Sequence, residues 1–296
     1  QPFQYLIKDF LLSYLDINEY GSILIAKHPV IFILFFISSL FFYKICIIFF
    51  NNKNFALISL FIYLLYPYFL GHSFINPKDI PFLSFWVIST YVLCKILKKL
   101  YKEEPVPIKY IVYISISTSF LISIRIVGFL ILLQFLIFII TFNEIKNKSF
   151  FNLIKNNIKN LFILLFTLVL FLYLLNPIFW HDPKEIVNSL KWMSKYQQDV
   201  STLTLGEYMK SLNLPASYYF IWLFFKLPIL IILGFFIFPF LEKKFIKNNL
   251  NKILTYSLIF TCLIILFLFI LFDVAIYNEI RHVMFLIPLI FIVSLN

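Results

Sequence analysis

The feature that most constrains this chain is a series of long apolar runs separated by short polar loops. Most runs hold about 17–25 residues, the length that an α-helix needs to cross a hydrocarbon core of about 30 Å. Hydrophobic residues make up 62% of the sequence and charged residues 13%, whereas soluble domains carry about 45–50% and about 25%. The sequence therefore predicts an all-α fold, a polytopic bundle of transmembrane helices with amphipathic helices in its outward-facing loops.

We predict eight complete spans and the start of a ninth, at residues 29–50, 55–71, 81–97, 110–124, 127–143, 161–179, 217–240, 254–273 and 283–296. Residues 110–143 are too long for one untilted helix, and Arg125 near their middle favours two short helices. Residues 1–28 then form an outer segment, and residues 29–296 form the transmembrane core, with an outer loop at 180–217. The sequence starts without a leader pattern and stops inside an apolar run, so we expect a fragment whose core is incomplete at both ends.

Lysine orients the predicted bundle. The short loops at 51–54, 95–109, 144–160 and 242–252 carry 14 lysines, and an excess of lysine in short loops marks the cytoplasmic face. Four lysines in the 180–217 loop lie on the other face and weaken this bias. We predict a multi-pass protein of the bacterial inner (plasma) membrane whose polar site faces the periplasm. Because this topology explains the net charge of +11, we expect contact with membrane lipids and no nucleic acid partner.

The polar loop at residues 71–81 is the strongest candidate for chemistry, because it places His72, Lys78 and Asp79 between two apolar runs. Asn76 and Pro77 are typical of a helix N-terminus, where Asp79 would close a capping box. A carboxylate at a helix N-terminus also stays ionised easily, which suits a base or a metal ligand. Both interpretations of Asp79 stay open. The spacing identifies no cofactor, and a divalent metal on Asp79 and His72 remains an alternative.

The other polar residues of this face also have structural interpretations. In the 180–217 loop, capping accounts for Asp182 and Glu185, and an amphipathic helix follows them, but His181 has no such explanation. Lys226 either snorkels out of its predicted span or faces a polar cavity. Interfacial anchoring would explain any single cation here, but together the residues suit a phosphate group held beside a carboxylate. The full set is His72, Lys78, Asp79, Arg125, His181, Lys226, Glu279, Arg281 and His282.

Four segments resemble membrane glycosyltransferases of the GT-C superfamily. They are residues 71–82 (GHSFINPKDIPF), 123–128 (SIRIVG), 219–228 (YFIWLFFKLP) and 279–282 (EIRH). The chain is similar to the protein O-mannosyltransferase group (glycosyltransferase family 39) and to bacterial transferases that add aminoarabinose or galacturonic acid to lipid A. In order and topology the resemblance covers most of the chain.

The resemblance implies an outward cavity, a polyprenyl-phosphate sugar donor and an inverting transfer of the sugar. Relatives use acidic residues from their first two outer loops, and Asp79 matches the second-loop acid. Asp16 and Glu19 lie near the region of the first-loop acid without forming the usual acidic pair, and Lys27, His28 and Pro29 match the following basic segment only in part. We therefore expect the first catalytic acid upstream of Gln1, or an active site that departs from the family pattern.

The leading hypothesis is thus a hexosyl- or pentosyltransferase that moves a sugar to an acceptor hydroxyl on a lipid, a glycan or a protein. In it Asp79, with His72 and Lys78, forms the catalytic group. Arg125, Lys226, Arg281 and His282 bind the donor phosphate, and His181 and Glu279 are further candidates. The alternative is a secondary transporter or lipid flippase, in which charges near the midplane form a substrate path.

Overall fold

The computed structural model describes residues 20–195, 199–245 and 248–296. The helices before the long loop are α1 (Tyr20–Phe50), α2 (Lys53–Leu65), α3 (Pro67–Ile75), α4 (Asp79–Tyr101), α5 (Ile108–Ile124), α6 (Leu130–Lys146), α7 (Phe150–Asn156) and α8 (Ile158–Leu175). The remaining helices are α9 (Ile178–His181), α10 (Glu185–Lys195), α11 (Ser217–Lys226), α12 (Ile229–Phe245), α13 (Asn249–Leu271) and α14 (Ile287–Ser294). Two 3-10 turns, Ile126–Phe129 and Arg281–Leu286, precede α6 and α14.

Several of these helices have the length and composition of membrane spans. Five qualify individually: Lys27–Phe50, Asp79–Tyr101, Ile126–Lys146, Ile158–Leu175 and Asn249–Leu271. The number rises to seven if each of two bent helix pairs counts as one span. The chain is therefore a helical protein of the multi-pass type, with five to seven candidate spans among the described residues. The predicted spans at 110–124 and 283–296 correspond to two shorter apolar helices, Ile108–Ile124 and Arg281–Ser294.

Two predicted spans are broken rather than continuous. Helices α2 and α3 meet at an angle of 55°, and α11 meets the following helix at 116°. Each break precedes a proline, Pro67 or Pro228, which has no amide hydrogen and clashes with the preceding turn. Tyr66 and Leu227 accordingly adopt extended ψ angles of 117° and 139°. Each of the spans predicted at 55–71 and 217–240 therefore consists of two helices that meet at a bend.

The candidate span near the N-terminus begins at Lys27, close to the predicted residue 29. Helix α1 begins at Tyr20 and continues through Pro29, so residues 20–28, assigned to an outer segment, are helical. Asp16 and Glu19, the two carboxylates nearest the expected first-loop acid, lie outside the described residues.

Buried hydroxyl and amide groups join the helices from within. On α5, the hydroxyls of Ser115 and Ser119 donate hydrogen bonds to the carbonyls of Leu164 and Leu168 on α8, each at 3.1 Å. Small side chains at this spacing let two helix backbones approach closely, and their hydroxyls find partners that lipid cannot provide. The most extensive helix contact of the described chain lies along this α5–α8 seam.

The lysine-rich loops meet at one end of the bundle, as the sequence grouped them. Lys148 lies 2.6 Å from Glu103 across two of these loops, and the Lys146 ammonium lies 3.9 Å from the centre of the Tyr101 ring. At the same end, the Asn251 amide donates to the Phe49 carbonyl at 2.7 Å.

A small β-hairpin in the long loop departs from the predicted all-α fold. Its strands, β1 (Ser201–Thr204) and β2 (Glu207–Lys210), pair antiparallel. Leu205 and Gly206 both have positive φ, 52° and 85°, as a tight hairpin turn requires. The Trp222 indole donates a hydrogen bond to the Thr204 hydroxyl at 3.1 Å and fastens the hairpin to α11.

Chemical labelling tests the assignment of the two ends to opposite sides of the membrane. The three natural cysteines are buried, while Ser201 and Asn147 are exposed. In intact cells, Ser201→Cys is expected to react with an impermeant maleimide and Asn147→Cys to react only after permeabilisation, because lysine-rich loops stay in the cytoplasm. Reversed labelling would overturn the orientation, and the unmodified chain measures the background.

Candidate functional site

Eight of the nine predicted site residues come together in one place, which we call the polar cluster. They come from the α3–α4 turn, the α5–α6 junction, the end of α11 and the loop before α14. The polar cluster consists of His72, Lys78, Asp79, Arg125, Lys226, Glu279, Arg281 and His282. Residues that are distant in sequence thus meet at a common end of the helices.

The turn before α4 holds Asp79 in place through Asn76. The Asn76 side-chain oxygen accepts hydrogen bonds from the amides of Lys78 and Asp79, at 3.2 and 2.9 Å, which confirms its capping role. In a capping box, the Asn76 backbone amide would donate a hydrogen bond to the Asp79 carboxylate. It donates instead to the His72 carbonyl at 2.8 Å, so the capping box does not form. The Asn76 side chain instead donates to Asp79 Oδ2 at 2.8 Å. Asn76 therefore orients a carboxylate that does not cap the backbone.

Asp79 is the centre of the polar cluster. Its side chain is 3% exposed and forms an ion pair through Oδ1 with Arg125, while Arg281 Nε lies 3.9 Å from Oδ2. These are the only two arginines in a sequence rich in lysine. Guanidinium groups suit buried pairing with carboxylates and phosphates better than ammonium groups do, because they are planar and weakly hydrated. The scarcity of arginine was a sequence signal for this site.

A close backbone contact positions Arg125. This residue is extended between α5 and the 3-10 turn; its amide donates to the Leu121 carbonyl and its carbonyl accepts from the Gly128 amide, both at 2.9 Å. A Cβ atom at Gly128 would lie 2.4 Å from the Leu121 carbonyl carbon. Only glycine fits against this backbone, and its fit sets the turn that presents Arg125.

The second ion pair of the polar cluster joins Lys226 and Glu279. Lys226 Nζ lies 2.7 Å from Glu279 Oε1 and 5.3 Å from the ring centres of Tyr68 and Trp222. Because α11 ends at Lys226, this residue is not inside a continuous span as predicted. Its carbonyl accepts a hydrogen bond from the Tyr66 hydroxyl, which ties the break before Pro228 to the break before Pro67.

The loop before α14 is held in an unusual conformation. Asn278 and Glu279 have positive φ angles of 54° and 67°, which disfavour residues other than glycine. The Glu279 amide donates to the Tyr218 hydroxyl at 3.2 Å. The Arg281 guanidinium lies 4.8 Å from the centre of the Tyr277 ring, and the Tyr277 amide donates to His282 Nδ1 at 3.4 Å. Several aromatic groups therefore support the charged ones.

The aromatic members of the site were not predicted from the sequence. In the described part of the chain, three buried polar atoms of the site have no hydrogen-bond partner: the Tyr68 hydroxyl, Arg281 Nε and Asp79 Oδ1, the last of which forms only its ion pair with Arg125. The Tyr68 ring also packs edge-on against His72, with 4.8 Å between ring centres. Among 18 tyrosines, no spacing separates Tyr68 from the rest, so only the structure could identify it.

The polar cluster carries more positive than negative charge. Lys78, Arg125, Lys226 and Arg281 face the carboxylates of Asp79 and Glu279. Burial lowers the pKa of the Lys78 ammonium, and the nearby Arg125 lowers it further, as repulsion among crowded cations would. An anion at this place would relieve the repulsion and satisfy the two unpartnered donors.

A cation is less suited to the same place. Among the described residues, no group of three or more His, Cys, Asp and Glu side chains is arranged to hold a metal ion. The oxygens of Asp79 already face two guanidinium groups, and His72 Nδ1 lies 3.3 Å from the Asn76 amide nitrogen. The arrangement therefore gives the Asp79 and His72 metal alternative no support.

His181 stands apart from the polar cluster. It ends α9, is exposed, and its side chain forms no hydrogen bond or ion pair within the described ranges. Capping by Asp182 is confirmed, since its carboxylate accepts a hydrogen bond from the Lys184 amide at 2.9 Å. Glu185 instead accepts from the Asn188 side chain at 3.0 Å, a contact that does not cap the helix.

Comparisons with protein-family models, with curated proteins and with solved structures gave no match. The chemical interpretation of the polar cluster therefore depends on its own contacts and charges. The resemblance to GT-C glycosyltransferases remains an expectation from the sequence.

Substitution of Gly128 tests whether the tight contact at Leu121 holds Arg125. Gly128→Ala forces atoms apart that have no room and is expected to lower the free energy of unfolding by about 1–3 kcal/mol. Gly71→Ala is the matched control: nothing lies within 4 Å of its Cβ position, and replacing a helical glycine stabilises by about 0.5–1 kcal/mol. Thermal unfolding in lipid nanodiscs measures both. Equal stability of the two variants would contradict the packing argument.

Proposed function

We propose that this protein is a membrane glycosyltransferase that moves a sugar from a polyprenyl-phosphate donor to an acceptor hydroxyl. The observation that carries the proposal is the partly buried excess of positive charge around Asp79, with donors on Tyr68 and Arg281 that have no acceptor in the described chain. A phosphate oxygen is the acceptor that such donors bind most strongly. The resemblance of residues 71–82 and 279–282 to GT-C enzymes supports the same conclusion.

The surroundings of the polar cluster suit a lipid-linked phosphate better than a free one. Phe74 and Ile75 follow His72 and are exposed, and Phe224 and Phe225 precede Lys226 and are exposed as well. In a bilayer these side chains would contact hydrocarbon, so a polyprenyl chain could approach from the membrane while its phosphate reaches the cations. We place this end on the periplasmic side, opposite the lysine-rich loops.

In the proposed reaction, the cations of the polar cluster stabilise the phosphate as it leaves. Negative charge on the phosphate increases while the bond to the sugar breaks. Preorganised hydrogen-bond donors in a site of low dielectric constant stabilise that charge. Arg125 and Arg281 are held by Asp79 before the donor binds, so little reorganisation is needed.

A second candidate, a transporter or flippase for lipid-linked phosphates, has one observation in its favour. Both bent helix pairs border the polar cluster: His72 lies on α3, and Lys226 lies at the break between α11 and α12. Transporters bind substrates at such discontinuous helices. The enzyme is favoured because the charges gather at the ends of the helices.

Reconstitution distinguishes the two functions. Full-length protein in liposomes is given a panel of polyprenyl-phosphate hexoses and pentoses, with membrane and soluble extracts as acceptors. The glycosyltransferase predicts release of polyprenyl phosphate together with a new glycoside. The transporter predicts movement of intact donor between leaflets. Donor movement without sugar release would replace the enzyme by the transporter.

The two arginines provide the sharpest test of phosphate binding. Arg125→Gln and Arg281→Gln each remove a charge-assisted hydrogen bond worth about 1.5–3 kcal/mol, so the affinity for decaprenyl phosphate should fall about 10–100-fold. Arg281→Lys keeps the positive charge but loses the planar guanidinium group, so its affinity for decaprenyl phosphate should lie between those of the wild type and Arg281→Gln.

Lys148→Gln is the control for this titration, because it removes an exposed ion-paired cation at the opposite end of the bundle. Its affinity should equal that of the wild type. If both glutamine variants bind decaprenyl phosphate as tightly as the control does, the polar cluster is no phosphate site.

A further inference from the structure

The two carboxylates of the polar cluster have different surroundings. The Asp79 side chain is 3% exposed, and its oxygens face two guanidinium groups and the Asn76 amide. The Glu279 side chain is 31% exposed and contacts a single ammonium, that of Lys226. The Glu279 carboxylate is therefore more accessible to a substrate hydroxyl than the Asp79 carboxylate is.

This difference bears on which group removes a proton from the acceptor. A general base must come within about 2.6–3.2 Å of the proton-bearing oxygen, directly or through one water molecule. Asp79 Oδ1 accepts no hydrogen bond in the described chain, but the Asp79 side chain is buried between two guanidinium groups. Burial makes Asp79 better suited to orient the arginines, and Glu279 is the more accessible carboxylate for proton transfer.

The backbone also holds Glu279 in place, in a conformation that it shares with six other non-glycine residues of the described chain, Glu103 among them. Glu279 and Asn278 both have left-handed conformations, which are uncommon outside glycine and collect at functional sites. The hydrogen bond from the Glu279 amide to the Tyr218 hydroxyl and the contact with Lys226 hold this conformation. The loop therefore directs a partly exposed carboxylate toward the polar cluster.

We infer that Glu279 is the general base of the glycosyl transfer, an inference that rests on the proposed function. The Glu279 carboxylate takes the proton of the acceptor hydroxyl while the hydroxyl oxygen bonds to the anomeric carbon. The bond between that carbon and the donor phosphate oxygen breaks, and its electron pair stays on the phosphate beside Arg125 and Arg281. Glu279 then loses the proton to water, and the charges balance without a metal or a redox partner.

Lys226 acts as a positioning residue in this arrangement. Its ammonium holds Glu279 Oε1 at 2.7 Å, and its own place is set by the Tyr66 hydroxyl and by the rings of Tyr68 and Trp222. Because Glu279 neutralises it, Lys226 adds less to phosphate binding than the arginines do. This revises the role that the sequence suggested for Lys226.

Glu279→Gln in the full-length protein separates proton transfer from donor binding. With whichever panel donor the wild type uses, the rate of sugar transfer should fall about 10²–10⁴-fold. The affinity for decaprenyl phosphate should stay within about threefold of wild type, since the arginines are unchanged. Glu103→Gln is the matched control, because it removes a carboxylate from the exposed ion pair of Glu103 with Lys148 at the other end of the bundle. It should leave the rate of sugar transfer unchanged.

A double variant excludes a purely structural role for the ion pair. If Glu279 only compensates the charge of Lys226, then Lys226→Met combined with Glu279→Gln should restore the rate lost in Glu279→Gln. A general base predicts that the double variant stays as slow as Glu279→Gln, with normal thermal stability. Restoration, or a Glu279→Gln rate within a few-fold of wild type, overturns the assignment of the base and leaves the proposed function standing. If the wild type uses no donor of the panel, the proposed function itself fails.

Discussion

The pairing of Asp79 with the chain's two arginines is the interaction on which the polar end of this protein depends. It connects the start of α4, the junction of α5 with α6 and the loop before α14. A buried charge in an apolar bundle is tolerated only when it is compensated and hydrogen-bonded. Loss of Asp79 would leave two partly buried guanidinium groups without their carboxylate, so electrostatic need, in addition to packing, keeps these three segments in one arrangement.

This pairing also divides the polar cluster into two sides. One carboxylate cannot neutralise two guanidinium groups and the nearby Lys78, so positive charge accumulates around Asp79. On the other side Lys226 and Glu279 balance each other and are more exposed to solvent. Transfer of a group from a phosphate to a hydroxyl needs such a division, because negative charge grows on the leaving oxygen while a proton leaves the attacking one.

The length of the apolar runs and the lysine-rich loops predicted the positions of the helices and the grouping of their ends. These properties are averages over many residues and depend little on tertiary detail. The break at Pro67 was not predicted, because proline is often tolerated in membrane helices when neighbouring groups bond the freed backbone. From the sequence, the eight residues of the polar cluster were likewise predicted to lie on one face. That Asp79 faces arginines while Glu279 stays accessible could not be predicted, because those pairings depend on distances across the bundle.

A hydrogen bond joins the two helix breaks. Irregular backbone at the depth of a membrane persists only where protein groups or a polar cavity satisfy it. Tyr66, at the first break, donates its hydroxyl hydrogen to the carbonyl of Lys226, at the second. This bond joins the two breaks, and the Lys226 ammonium lies 5.3 Å from the centre of the Tyr68 ring. Because Lys226 ends α11 at its break and Tyr68 lies in the first turn of α3 at the other, the departures from regular helix geometry contribute to this side of the polar cluster.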